Sequence, residues 1–190
     1  SQPEKYFTQK TKIVSITHMS NVLGTINPIA KISKITKSIG ATFIVDGAQS
    51  VSHLPVNVQE LGCDFLAFSG HKMLGPTGIG ILWGNLEILE SLPPFMAGGE
   101  MIETVSMESS TWNKVPYKFE AGTPNFVQAI GLGIAVEYLT NIGMKEVQDH
   151  EKKLTHYALS RLEKISGIYI HGTPEKRGGV ISFNLNKIHP

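Results

Sequence analysis

Three short apolar runs, at 12–17, 41–45 and 64–68, each stop at a polar cluster: His18-Met-Ser-Asn21, Asp46-Gly-Ala-Gln49 and Ser69-Gly-His-Lys72. That pattern constrains the fold more than any other feature of the chain. The runs are β-branched or continuously apolar, as strands buried in a parallel sheet are. Between the first two, Ile29, Ile32, Ile35 and Ile39 recur at spacings of three and four, the period of one helix face. Asn27 is expected to cap that helix, Pro28 to lie in its first turn, and Gly40 to end it in a left-handed cap. A short helix is expected at 56–62 and a further strand at 79–83, after the turn Gly75-Pro-Thr-Gly78. Strand and helix in alternation predict an α/β fold with a mostly parallel sheet.

The second half reads less regularly. Residues 93–120, with Pro93-Pro94 and Gly98-Gly99, are expected to form a long irregular loop. Residues 126–139 are apolar nearly all round, which predicts a buried helix. A helix over 145–164 places Val147, Leu154, Ala158, Leu162 and Ile165 on one face. Strands at 168–170 and 180–183 are expected to begin a second, smaller sheet. The division falls at Gly143: 1–143 as a large-domain core and 144–190 as the start of a small α+β domain. Both termini lie close to core strands, so the chain reads as part of a longer protein.

In open α/β sheets, ligands bind in the crevice outside the carboxyl ends of the strands. The three polar clusters are therefore expected to face one crevice. A free lysine is protonated at neutral pH and a poor nucleophile, but as a Schiff base with an aldehyde cofactor it becomes useful. Lys72, in a glycine-containing loop, is the candidate. Asp46 is placed to pair with a pyridine nitrogen and Gln49 to donate to a phenolic oxygen, while Ser69 and His71 are donors for a phosphate. Each residue alone is more often structural: a solvated lysine, a turn-forming Asp, a core histidine. Their convergence at one sheet edge is what favours chemistry.

The segments Thr17-His-Met-Ser-Asn-Val-Leu-Gly-Thr25, Val45-Asp-Gly-Ala-Gln-Ser50, 64–80 with its Ser-Gly-His-Lys core, and Phe119-Glu-Ala-Gly-Thr-Pro-Asn125 carry a resemblance. So does Gly98-Gly-Glu-Met-Ile102. Together they resemble fold-type I pyridoxal-5′-phosphate (PLP) enzymes of the class V aminotransferase group, and most of all the SufS-like cysteine desulfurases and selenocysteine lyases. The resemblance implies a three-layer PLP-transferase large domain, with PLP as cofactor. By it, Lys72 holds PLP and shuttles protons, Asp46 pairs with the ring nitrogen and Gln49 contacts the phenolic oxygen. Ser69 and His71 then hold the phosphate, Asn21 lies near ring and substrate, and Thr123 reaches the phosphate of the neighbouring subunit in a homodimer. It further implies L-cysteine or L-selenocysteine as substrate and a sulfur-acceptor protein as partner, for iron–sulfur cluster or other sulfur-cofactor assembly.

The family's ring-stacking histidine, sulfur-accepting cysteine and substrate-binding arginine have no counterpart in 1–190. The chain by itself is therefore expected to be inactive. Cys63, in Leu-Gly-Cys-Asp-Phe, reads as a small buried residue ahead of a strand.

Other readings fare worse. Gly75-x-x-Gly-x-Gly80 has the wrong glycine pattern for a dinucleotide fold, and the histidines lack zinc-hydrolase spacing, so no metal is expected. Within PLP chemistry, a selenocysteine lyase, a kynureninase-like hydrolase and an aminotransferase stay open, as does a non-catalytic core domain. A net charge of +1 gives no argument for nucleic acid or an anionic membrane. One cysteine excludes an internal disulfide. A cytoplasmic or organellar enzyme is expected.

Overall fold

The computed structural model describes residues 3–172, 174–186 and 188–189. Strands β1 (Ile13–Thr17), β2 (Thr42–Asp46), β3 (Phe65–Ser69) and β4 (Gly80–Gly84) form one sheet in that order. The first three run parallel and β4 antiparallel to β3. Helix α1 (Ile29–Ser38) connects β1 to β2, and α2 (Val58–Leu61) connects β2 to β3. This is the α/β, mostly parallel arrangement the alternation predicts.

Local chemistry accounts for these boundaries. Ile29, Ile32, Ser33 and Thr36 form the buried stripe of α1, packed over Val14, Phe43, Val45 and Leu66 of the sheet. Burying each isoleucine contributes about 1.5–3 kcal/mol relative to exposure. Gly40 ends the helix at φ +68°, where a side chain would be strained. Asn27 does not cap α1. Pro28 occupies that position, and Asn27 Nδ2 instead donates to the Thr17 carbonyl at 2.8 Å. Asn57 does cap α2, accepting from Gln59 and Glu60 N–H.

The 93–120 segment departs from the expected irregular loop. After helix α3 (Leu86–Ser91), strands β5 (Ile102–Val105) and β6 (Ser110–Trp112) pair antiparallel. Their faces are too exposed to leave an alternating apolar signature. A Thr104–Thr111 hydroxyl contact at 2.6 Å and a buried Met101 define the hairpin instead. Lys118, itself buried, ties the segment down by donating to the Leu89 and Glu90 carbonyls at the end of α3.

Helix α4 (Phe126–Ile142) also differs from its reading. Only Leu132, Ala135 and Leu139 are buried; they lie three and four apart, and Leu132 and Leu139 cluster with Met73, whereas Phe126, Ile130 and Ile134 are exposed. The sequence is apolar all round, but this chain supplies a packing partner for one stripe alone. Helix α5 (Met144–Leu162), bent 72° from α4 at Gly143, does not bury the face expected of it: Leu154 is exposed and Thr155 is the buried position. Strands β7 (Ile168–Ile170) and β8 (Phe183–Leu185) pair antiparallel, the second beginning three residues later than expected. No single described helix is long and apolar enough to cross a membrane.

Candidate active site

Parallel register brings the three polar clusters to one edge. Thr17 lies beside Asp46, and Asp46 beside Ala67, two residues before Ser69. Backbone bonds then stitch the exits together: His18 N–H donates to the Asp46 carbonyl at 2.8 Å, and Gly47 N–H to the Ala67 carbonyl at 2.8 Å. Loops leaving adjacent strands, about 4.8 Å apart, are thus held side by side.

On β1, residues 20–25 form a tight hairpin. Ser20 N–H donates to Thr25 O, Gly24 N–H to Ser20 O, and Ser20 Oγ accepts from Val22 and Leu23 N–H. Asn21 sits exposed near its tip. On β2, the exposed Asp46 carboxylate accepts from Ala48 N–H at 2.9 Å through Oδ1, and Gln49 is half-buried in the helical turn that follows. On β3, Ser69 leads into a 3-10 turn over Gly70–Met73. Within it Gly70 and Met73 are buried, whereas His71 and Lys72 are exposed at the edge.

The glycines of this loop have a packing reason. A Cβ on Gly70 would lie 2.9 Å from the Ile79 side chain, one on Gly75 2.9 Å from the Gly70 carbonyl, and one on Gly80 2.6 Å from the Phe68 carbonyl. Their absence lets β4 fold straight back on β3 and fixes the lysine loop from behind.

Thr123 is exposed in a turn that follows Gly122 at φ +86° and is drawn toward the same loop. Gly122 N–H donates to Gly99 O at 2.9 Å, and Asn125 Nδ2 donates to Gly78 O at 2.7 Å. The sequence reading gave Asn125 no role. Its partner is 47 residues away, and no local pattern signals it. Nor did that reading foresee that Asn27 closes the β1 exit. The helix that follows the Thr123 turn is half-exposed rather than buried.

His18, at the end of β1, is buried, and its Nδ1 has no hydrogen-bond partner; loss of hydration lowers its pKa. Cys63 lies outside this edge, just before β3, and burial raises its thiol pKa. Among the described residues, no group of three or more His, Cys, Asp or Glu side chains forms a metal site.

The donor set at this edge fits PLP. Lys72 offers an amine for an aldehyde, Asp46 a carboxylate for a ring nitrogen, and Ser69 and His71 a hydroxyl and an imidazole for a phosphate. Asp46 and Ser69 end the adjacent strands β2 and β3, His71 and Lys72 lie in the turn after β3, and the side chains of Asp46, His71 and Lys72 are open to solvent.

Comparison with known proteins matches residues 1–190 to the class V aminotransferase family. A probable cysteine desulfurase of Halalkalibacterium halodurans is 53% identical over 187 residues, covering 98% of this chain and 46% of that protein. The crystal structure of the Escherichia coli cysteine desulfurase CsdA, in an S-sulfonic acid form, superposes with a TM-score of 0.92 at 36% identity, over 97% of this chain and 46% of that one. A second structure, 24% identical with a TM-score of 0.84 over 96% of this chain and 49% of the other, shares the fold; in it, glycine is covalently linked to the PLP cofactor. The chain spans about half the length of the relatives it matches.

Proposed function

The chain belongs to the class V aminotransferase family, and on that premise we propose that it is the cofactor-holding part of a PLP-dependent cysteine desulfurase. The observation that carries this reading is the convergence of Asp46, Ser69, His71 and Lys72 at one edge of the sheet, on loops that exit neighbouring strands. The similarity to cysteine desulfurases over nearly the whole chain supports the substrate class.

Bound PLP supplies an electron sink for charge developing at the substrate α-carbon. The residues of this chain hold and steer it. Lys72 provides the amine that anchors the aldehyde and, once released, moves a proton at the α-carbon. Asp46 keeps the ring nitrogen protonated, and Gln49 donates to the phenolic oxygen. Ser69 and His71 donate to the phosphate, while Asn21 lies beside ring and substrate. In this reading Thr123 reaches the phosphate of the partner's cofactor in a two-fold dimer with shared sites, and the small domain begins after Gly143.

In the overall reaction, the C–S bond of L-cysteine breaks, an S–S bond forms on an enzyme thiol, and L-alanine leaves. Cys63 is not that thiol. It is buried and its pKa is pushed up, so little reactive thiolate forms. Sulfur acceptance falls to a thiol elsewhere in the whole protein, which then passes the persulfide to an acceptor protein.

Borohydride reduction of the PLP-loaded full-length protein, followed by peptide mapping, tests the reading. The label is expected on Lys72, together with cysteine-dependent release of alanine and formation of a persulfide. Label on another lysine, or alanine formed no faster than with free PLP, overturns it.

A further inference from the structure

Residues 174–182 play no part in the reading above, yet they grip the hairpin that carries Asn21. Ile26 N–H donates to the Lys176 carbonyl at 3.1 Å, and Gly178 N–H donates to the Gly24 carbonyl at 2.8 Å, so Thr25 and Arg177 form an antiparallel bridge. Ser182 Oγ donates to the Val22 carbonyl. At two points of contact there is no room for a side chain. A Cβ on Gly24 would lie 2.9 Å from the Val180 carbonyl, and one on Gly178 would lie 2.2 Å from Met19 Sδ. Met19, two residues before Asn21, is 1% exposed beneath this strap.

One side chain sets the strap's own shape. Arg177 Nη1 donates to the Val180 carbonyl at 3.0 Å and Nη2 to the Gly172 carbonyl at 2.6 Å. The planar guanidinium thereby closes the loop, with one carbonyl held on each of two nitrogens. Bonds from a charged donor are worth more than neutral ones, and a lysine ammonium cannot reproduce this fork.

The hairpin on the other side is equally tight. Gly24 N–H and Ser20 Oγ tie residues 20–25 into one unit, so a shift of the strap carries Asn21 with it. We infer that Arg177 is a positioning residue: by shaping the 174–180 strap it fixes the hairpin that presents Asn21 to the cofactor. The inference rests on the proposed role of Asn21 beside the ring.

A double-mutant cycle in the full-length enzyme tests this, reading PLP affinity from the absorbance of the bound cofactor and splitting cysteine turnover into kcat and KM. Arg177→Met is expected to weaken PLP binding about tenfold, the scale of a lost charged hydrogen bond. Arg177→Lys should recover part of that loss. In an Asn21→Ala background, Arg177→Met should add less than about twofold, because coupled residues are not additive.

Full additivity, with Asn21→Ala itself harmful, overturns the inference and leaves the reading of Asn21 standing. No effect of Asn21→Ala on PLP affinity or turnover removes both. Failure of wild type to take up PLP at Lys72 is instead a failure of the proposed function. Amide exchange in the wild-type protein needs no variant: Ile26 and Gly178 should be protected together and slow together when PLP binds. Independent exchange of the two amides counts against the strap as one unit.

Discussion

Two aspartates lie at opposite edges of the same sheet. Asp46 leaves the carboxyl end of β2; its carboxylate is exposed and accepts from Ala48 of its own loop. Asp64 enters the amino end of β3. Its Oδ2 accepts from Phe43 N–H at 2.8 Å, its own N–H donates to Phe43 O at 2.9 Å, and its carbonyl accepts from Asn85 N–H at 2.8 Å. Beside it Cys63 is buried. At the amino edge, polar groups complete the backbone hydrogen bonding of the sheet. At the carboxyl edge, backbone bonds from His18 to Asp46 and from Gly47 to Ala67, with the Asn27 amide on the Thr17 carbonyl, complete the sheet, and the side chains of Asp46, His71 and Lys72 stay exposed for other work. One residue type therefore serves stability at one edge and is available for chemistry at the other.

The largest predicted effects test the carboxyl edge. In the full-length enzyme, Lys72→Ala should lower cysteine turnover by at least 10²–10⁴-fold, the range for loss of a positioned proton-transfer group. Its thermal unfolding should match wild type without cofactor, since the side chain is exposed. Next comes a crossed pair. Asp46→Asn should lower kcat about 10²–10³-fold, as loss of one preorganised electrostatic group does, with a stability change within about 0.5 kcal/mol. Asp64→Ala should do the opposite. It leaves Phe43 N–H without its acceptor and costs about 1–3 kcal/mol of stability, with activity per folded molecule retained. Denaturation midpoints and kcat measured on both variants decide it. If Asp64→Ala impairs catalysis as Asp46→Asn does, the division between the edges is wrong.

Much of this division was legible in the sequence because it follows from strand direction. Parallel strands of five residues put every strand exit on one side, so the runs ending at Thr17, Val45 and Phe68 were enough to bring the three clusters together. Helix α1 was legible for the same kind of reason, although of the four isoleucines only Ile29 and Ile32 are fully buried, Ser33 and Thr36 completing the stripe while Ile35 and Ile39 are half-buried. What escaped depends on partners far along the chain. Asn27 looks like a cap by local rules but bonds Thr17 across ten residues. Asn125 bonds Gly78 across 47. The β5–β6 hairpin has no apolar alternation to read, and α4 is apolar on faces that no described residue covers.

A smaller effect belongs to Cys63 at the amino edge. Burial, reinforced by the charge of Asp64, raises its pKa above the ordinary 9.0. The folded state therefore holds the thiol proton more tightly than the unfolded state. Stability from this source is complete below pH 9 and falls as pH rises beyond it. Cys63→Ala should flatten that alkaline loss and leave the persulfide yield of the full-length enzyme unchanged. A lost persulfide would make Cys63 the sulfur acceptor after all.

The smallest predicted effect concerns the residue that sits at one edge and behaves like the other. His18 is at the carboxyl edge, beside Asp46, but is buried like the residues around Cys63, and its Nδ1 lacks a partner. Removal from water disfavours the imidazolium and lowers its pKa below the ordinary 6.5. The unfolded chain then binds a proton more readily than the folded one. Stability is complete above pH 6.5 and declines as pH falls below it, toward the folded-state value. Replacing His18 by Gln keeps a polar side chain of similar reach and the backbone N–H that bonds Asp46, but removes the titration. Denaturant midpoints from pH 8 to pH 5 should therefore fall more steeply in wild type than in His18→Gln, with PLP affinity at pH 8 alike in the two. Equal slopes would show that His18 takes up its proton in the folded state without penalty, and would place it with the solvated groups of its own edge. A selective loss of PLP affinity at pH 8 would assign it to the cofactor instead.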